Sequence, residues 1–95
     1  MYPMDKKTQA RVLQMIREIM FNTAEKAQVV MKPHEGEHAL FDAALHVLRN
    51  AGVVVFDWNP MDQNKKPIIG AVLITLSVQG LLQIFENRFA KNEVN

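Results

Sequence analysis

The stretch ALHVLRNAGVVVF, residues 44–56, changes its hydrophobic period partway along. Before Gly52 the apolar positions follow a helix. Ala44, Leu45 and Leu48 join Phe41 in an i, i+3, i+4, i+7 set, widened by Leu40 and Val47. After Gly52 the residues are β-branched or aromatic, Val53, Val54, Val55 and Phe56, as in a half-buried strand. The reading is a helix over 37–50, a left-handed stop at Gly52 and a strand over 53–58. A chain that turns from helix to strand within one residue or two belongs to the α+β class.

Upstream, Val12, Leu13, Ile16, Ile19 and Met20 form a broad apolar stripe, which predicts a helix over 8–20. Asn22 followed by Glu25 reads as a capping box and predicts a second, short helix over 23–30. Pro33 and Gly36 mark a loop. Downstream, NPMDQNKKP (59–67) is a polar, turn-rich loop, and 68–75 reads as the second strand of a hairpin. Ser77 is placed to cap a last helix, whose apolar positions are Leu81, Leu82, Ile84, Phe85 and Phe89. The order is helix, helix, helix, strand, loop, strand, helix. A two-stranded hairpin needs the helices to pack on. Residues 1–6 and 91–95 are expected to fray.

Ninety-five residues make a single domain, with 48% hydrophobic and 22% charged residues, an ordinary balance for a folded chain. There is no cysteine, which removes disulfides and thiolate chemistry and fits a cytoplasmic location. The longest apolar region, 68–76, is strand-sized, far short of a membrane span. The N-terminal MYPMDKKTQAR has no apolar core, so no signal peptide is expected. The net charge of +1 means that a nucleic-acid function would rest on local clustering.

Residues 44–56 resemble the end of a winged-helix recognition helix running into the first wing strand. LSVQG (76–80) is similar to the Leu-Thr-x-x-Gly that closes the second wing strand in MarR- and PadR-type regulators, and NPMDQNKKP stands where those families carry the wing tip. The resemblance covers residues 8–90. It implies a small winged-helix domain of three helices, a two-stranded β-hairpin wing and a C-terminal helix. It further implies a DNA-binding transcriptional regulator working as a homodimer, with the 37–50 helix in the major groove. Three departures stand against it. The arginine of the Asp-x-Arg wing tip is replaced by Asn64, the chain is too short for the long terminal helices of MarR-type dimers, and Glu35, Glu37 and Asp42 crowd the start of the recognition helix. The near-zero net charge, the acidic helix start and the missing wing arginine point to an alternative, a winged-helix scaffold that binds a protein partner, such as a small phage- or plasmid-type accessory factor or inhibitor.

One further motif asks for a different chemistry. HEGEH (34–38) matches H-E-x-x-H, in which two histidines one helical turn apart bind zinc and the glutamate activates water. Pro33 and Gly36 oppose a continuous helix there, and the third-ligand candidates, Asp57 and His46, are a strand residue and a residue two turns on. His34 and His38 are thus the only candidate metal ligands, and a zinc hydrolase is the remaining alternative. The plain reading is a solvated helix start with acids near the positive end of its dipole. No serine, histidine and aspartate fall into a triad pattern and no phosphate loop is present, so neither enzymatic activity nor a cofactor is expected. The candidate DNA contacts are Lys26, Lys32, Lys65 and Lys66 on phosphates, with His34 and His38 nearest the bases. Lys6, Lys7 and Arg11 form a separate cluster. Phe56, Trp58 and Met61 are expected to cover the core, and Met15, Met20 and Met31 to fill it.

Overall fold

A computed structural model describes the backbone of residues 5–93 and the side chains of residues 5–86. The elements in chain order are α1 (Lys6–Lys26), β1 (Gln28–Met31), α2 (His38–Asn50), β2 (Val54–Trp58), β3 (Val72–Leu76) and α3 (Val78–Glu93). The protein is α+β, with three helices and one three-stranded antiparallel sheet in the order β1-β3-β2.

The helical expectation for the N-terminal third needs correction. No break occurs at Asn22. α1 runs on to Lys26, and the expected helix over 23–30 does not form. The reason lies in the buried face. Val12, Met15, Ile19 and Thr23 continue one stripe past the proposed cap. Thr23 is fully buried because its Oγ1 donates back to the Ile19 carbonyl at 2.8 Å. Asn22 likewise donates to the Glu18 carbonyl at 2.8 Å instead of capping a new helix. α1 starts on a true cap, as Asp5 accepts from the Thr8 amide at 2.7 Å. The loose ends expected at 1–4 and 94–95 lie outside the described residues. α1 ends at Ala27, whose φ of 65° turns the chain back while its amide bonds to the Thr23 carbonyl at 2.7 Å.

The freed residues 28–31 become β1, and the expected two-stranded hairpin becomes a three-stranded sheet. Val29 and Val30 suit a strand. Gln28 pairs with Thr75 and Met31 with Val72. β3 is also shorter at its start than expected. Ile68–Gly70 belongs to the loop, since Pro67 removes a donor and Gly70 has a φ of 79°. The expected hairpin strands are otherwise present, with Val54 opposite Leu76 and Trp58 opposite Val72.

One face of the sheet carries both helices. The core joins Met15 and Ile19 of α1, Phe41, Leu45 and Leu48 of α2, and Val54, Val72 and Ile74 of the strands. Phe56, Trp58, Met20 and Met31 pack around its edge, as the sequence suggested, but Met61, expected to cover the core with them, is 66% exposed because it lies in the loop beyond β2. The opposite face is open and bears Val30, Val55, Asp57, Leu73 and Thr75.

The β3–α3 junction is tight. Ser77 caps α3 by accepting from the Gly80 amide at 2.9 Å, and its own amide donates to the Val53 carbonyl at 2.8 Å. A side chain at Gly80 would collide with the Val53 carbonyl, which is backbone and has little freedom to move. Gly80→Ala is expected to destabilise the fold by about 1–3 kcal/mol, the usual cost of overpacking. Urea unfolding measures it, and an unchanged midpoint would mean that the junction relaxes freely.

Candidate nucleic-acid interface

One end of the sheet gathers most of the residues singled out in the sequence. β1 and β2 finish there and β3 begins, since Met31 and Trp58 both face Val72. Two loops leave this end, residues 32–37 toward α2 and residues 59–71 between the hairpin strands.

The first loop holds most of HEGEH. Pro33 is buried, Gly36 has a φ of 82°, and the Glu37 amide closes a turn on the His34 carbonyl at 3.0 Å. α2 starts only at His38, so His34 lies in the loop and the two histidines are not one helical turn apart. Glu37 is taken up elsewhere. Arg11 Nε and Nη2 donate to its two carboxylate oxygens, each at 2.7 Å. Such a two-pronged contact is stronger and more directional than a single bond. Both side chains are about three-quarters covered. The hydrogen bonds from Arg11 hold the Glu37 carboxyl below the ordinary carboxylate range, and those to Glu37 raise the Arg11 guanidinium. Among the described residues, no three His, Asp or Glu side chains come together as a metal-binding group. A cavity of about 150 Å³ opens beside the clasp, floored by Met15, Met31 and Phe41 and edged by Glu18, Lys32 and His34.

The β2-facing side of α2 is knitted to the strand. Trp58 Nε1 donates to Asp42 Oδ1 at 3.2 Å, and His46 Nδ1 donates to the Asp42 carbonyl at 2.8 Å. The Phe56 ring meets the His46 ring edge-on at 5.3 Å and lies under the Arg49 guanidinium at 5.3 Å. Two of the three acids at the start of α2 therefore have partners within the fold, Glu37 mostly covered and Asp42 about half exposed. The solvent side of α2, away from this network, carries Ala39, Ala43 and Val47.

The second loop is an ordered extension of the hairpin. Asn59 bonds across it, from its amide to the Ala71 carbonyl at 2.8 Å and through Oδ1 from the Gly70 amide at 2.9 Å. Further out, Met61 bridges to Pro67. Asp62 organises the tip, its Oδ1 accepting from the amides of Asn64 at 2.8 Å and Lys66 at 3.0 Å. Lys65, with a φ of 62°, and Lys66 stand at this tip, both exposed.

Lys32 and His38 meet beside Gly70, within 3.6 and 3.7 Å of where a Cβ would stand. Lys32, His34, His38, Lys65 and Lys66 thus share one end. Lys26 does not. It precedes β1 at the opposite end, where the Leu76 amide bonds to the Ala27 carbonyl at 2.7 Å. The Arg11–Glu37 clasp instead ties α1 to the loop before α2. The joining contact spans 26 residues and leaves no local signal.

Compared with known protein families, curated proteins and solved structures, the chain matches none.

The clasp makes an acid-dependence prediction. A carboxyl held below its unfolded value contributes stability that is present above the unfolded pKa and lost as pH falls through the folded one. Arg11→Met is expected to lower the melting temperature at pH 7. Its difference from wild type should shrink as pH falls through the carboxylate range, and a constant difference would deny the pairing a role.

Proposed function

We propose that this chain is a winged-helix-like protein that binds double-stranded DNA, in a transcriptional setting, through the end of the sheet bearing Lys32, Lys65 and Lys66. The observation that carries the reading is that Lys32, Lys65 and Lys66, from two separate loops, stand at one end of the sheet in a nearly neutral chain. Phosphate contacts from such side chains supply sequence-independent affinity. The ordered loop at 59–71 and the resemblance of 44–56 and 76–80 to winged-helix regulators support the relationship. The single helix between β1 and β2 departs from it, because a helix-turn-helix needs two.

The solvent side of α2 offers small apolar groups, and Arg49 is drawn over Phe56. Base edges are read by hydrogen-bonding side chains. The expected mode is therefore backbone binding with little sequence preference, in place of major-groove reading by α2. The second reading, a protein-interaction module, is favoured by that same apolar side of α2 and by Val30, Val55 and Leu73 on the open sheet face.

Fluorescence anisotropy with a short random duplex separates the two. With about three to five phosphate contacts, affinity should fall roughly 40- to 500-fold between about 50 and 200 mM salt. Lys65→Glu/Lys66→Glu should weaken binding at least about tenfold at the lower salt. No binding there, or binding indifferent to the double substitution, sinks the DNA reading and leaves the protein partner.

A further inference from the structure

The loop between β2 and β3 has two legs and a tip. Its legs are joined by backbone bonds of 2.8 Å, from the Asn59 amide to the Ala71 carbonyl and from the Ile68 amide to the Pro60 carbonyl. Further out, Met61 and Pro67 form an antiparallel bridge. Directly opposed residues of such a pair send their side chains to the same face. Met61 and Pro67 therefore stand side by side, and both are exposed. The tip beyond them is held in place. The Asp62 amide bonds to the Lys66 carbonyl at 2.8 Å and the Lys65 amide to the Asp62 carbonyl at 3.0 Å, while Asp62 Oδ1 accepts from the Asn64 and Lys66 amides. Gln63, Asn64, Lys65 and Lys66 are all exposed there. Packing does not account for an apolar pair kept in water directly behind two lysines, since neither side chain belongs to the core.

We infer that the Met61–Pro67 pair is a wedge that opens a base step from the minor groove, and that the preferred ligand is deformable duplex DNA. The inference rests on the DNA reading above and adds the deformation to it. Methionine and proline are among the apolar side chains that unstack and kink a duplex from the minor-groove side. Neither carries a charge that would have to be desolvated to enter the stack. Lys65 and Lys66, adjoining the pair, reach the flanking phosphates. They outnumber Asp62, whose carboxylate is turned to the amides of its own tip. Gln63 and Asn64 carry amide donors that suit the N3 and O2 acceptors of the groove floor, which are alike for A·T and T·A. Opening a step is least costly at flexible TA and CA steps and most costly in stiff A-tracts. A lipid surface fits less well, because an apex of amides and ammonium groups opposes burial in hydrocarbon.

The test uses the full chain and a short duplex with one TA step between A-tracts, carrying the fluorescent base 2-aminopurine in place of the adenine of that step. Unstacking brightens this base. At about 50 mM salt, wild type should raise its emission at least about twofold. It should bind this duplex at least about fivefold more tightly than an uninterrupted A-tract of the same length. Met61→Ala should lose both the brightening and the preference, while its affinity still falls steeply with salt because the lysines remain. If that variant unfolds, Met61→Gln is read in its place, with the same result expected. Binding without brightening, or brightening unaltered by these substitutions, overturns the wedge and leaves the DNA reading standing. No binding to any duplex overturns both, and Met61-dependent binding to anionic lipid vesicles in its place assigns the loop to a membrane surface.

Discussion

The molecule depends on β3 being paired along both edges. β3 is the middle strand, and its Val72 and Ile74 are fully buried. Each backbone polar group on such a strand costs free energy if left unpaired. β2 satisfies one edge through a local hairpin, but the other edge is met only by β1, more than forty residues earlier in the chain. That pairing sets much else. It requires α1 to end at Lys26 so that the chain can turn at Ala27, and it delivers Lys32 beside Gly70 at the start of β3.

A second constraint works by charge. The start of α2 carries Glu35, Glu37 and Asp42, an unfavourable surface for a polyanion. Arg11 takes Glu37 in a two-pronged contact, and Trp58 donates to the Asp42 carboxylate. The same Arg11 contact ties α1 to the loop before α2. One ion pair thus shapes the field of the cationic end and the geometry that assembles it.

The two ends of the sheet then differ in kind. At one, ordered loops present lysines and histidines. At the other, Ser77 and Gly80 clamp the start of a helix whose Val78, Leu81 and Leu82 are exposed. No helix among the described residues is long and apolar enough to cross a membrane.

The sequence by itself determined the elements whose signals are local. The 3.6-residue stripe around Phe41 and Leu45 specified α2, the β-branched run after Gly52 specified β2, and Ser77 with the leucines behind it specified the last helix. The same local rules misread Asn22 and Glu25 as a cap, because the burial of Thr23 outweighed them, and they missed β1, because Val29 and Val30 become a strand only when β3 is there to pair with. For the site, the sequence supplied Lys32, Lys65, Lys66, His34 and His38, and HEGEH posed the metal question. Tertiary structure alone decided that Lys26 stands apart and that Glu37 belongs to Arg11. Those outcomes turn on contacts between residues far apart in the chain, and periodicity and capping carry no information about such pairs.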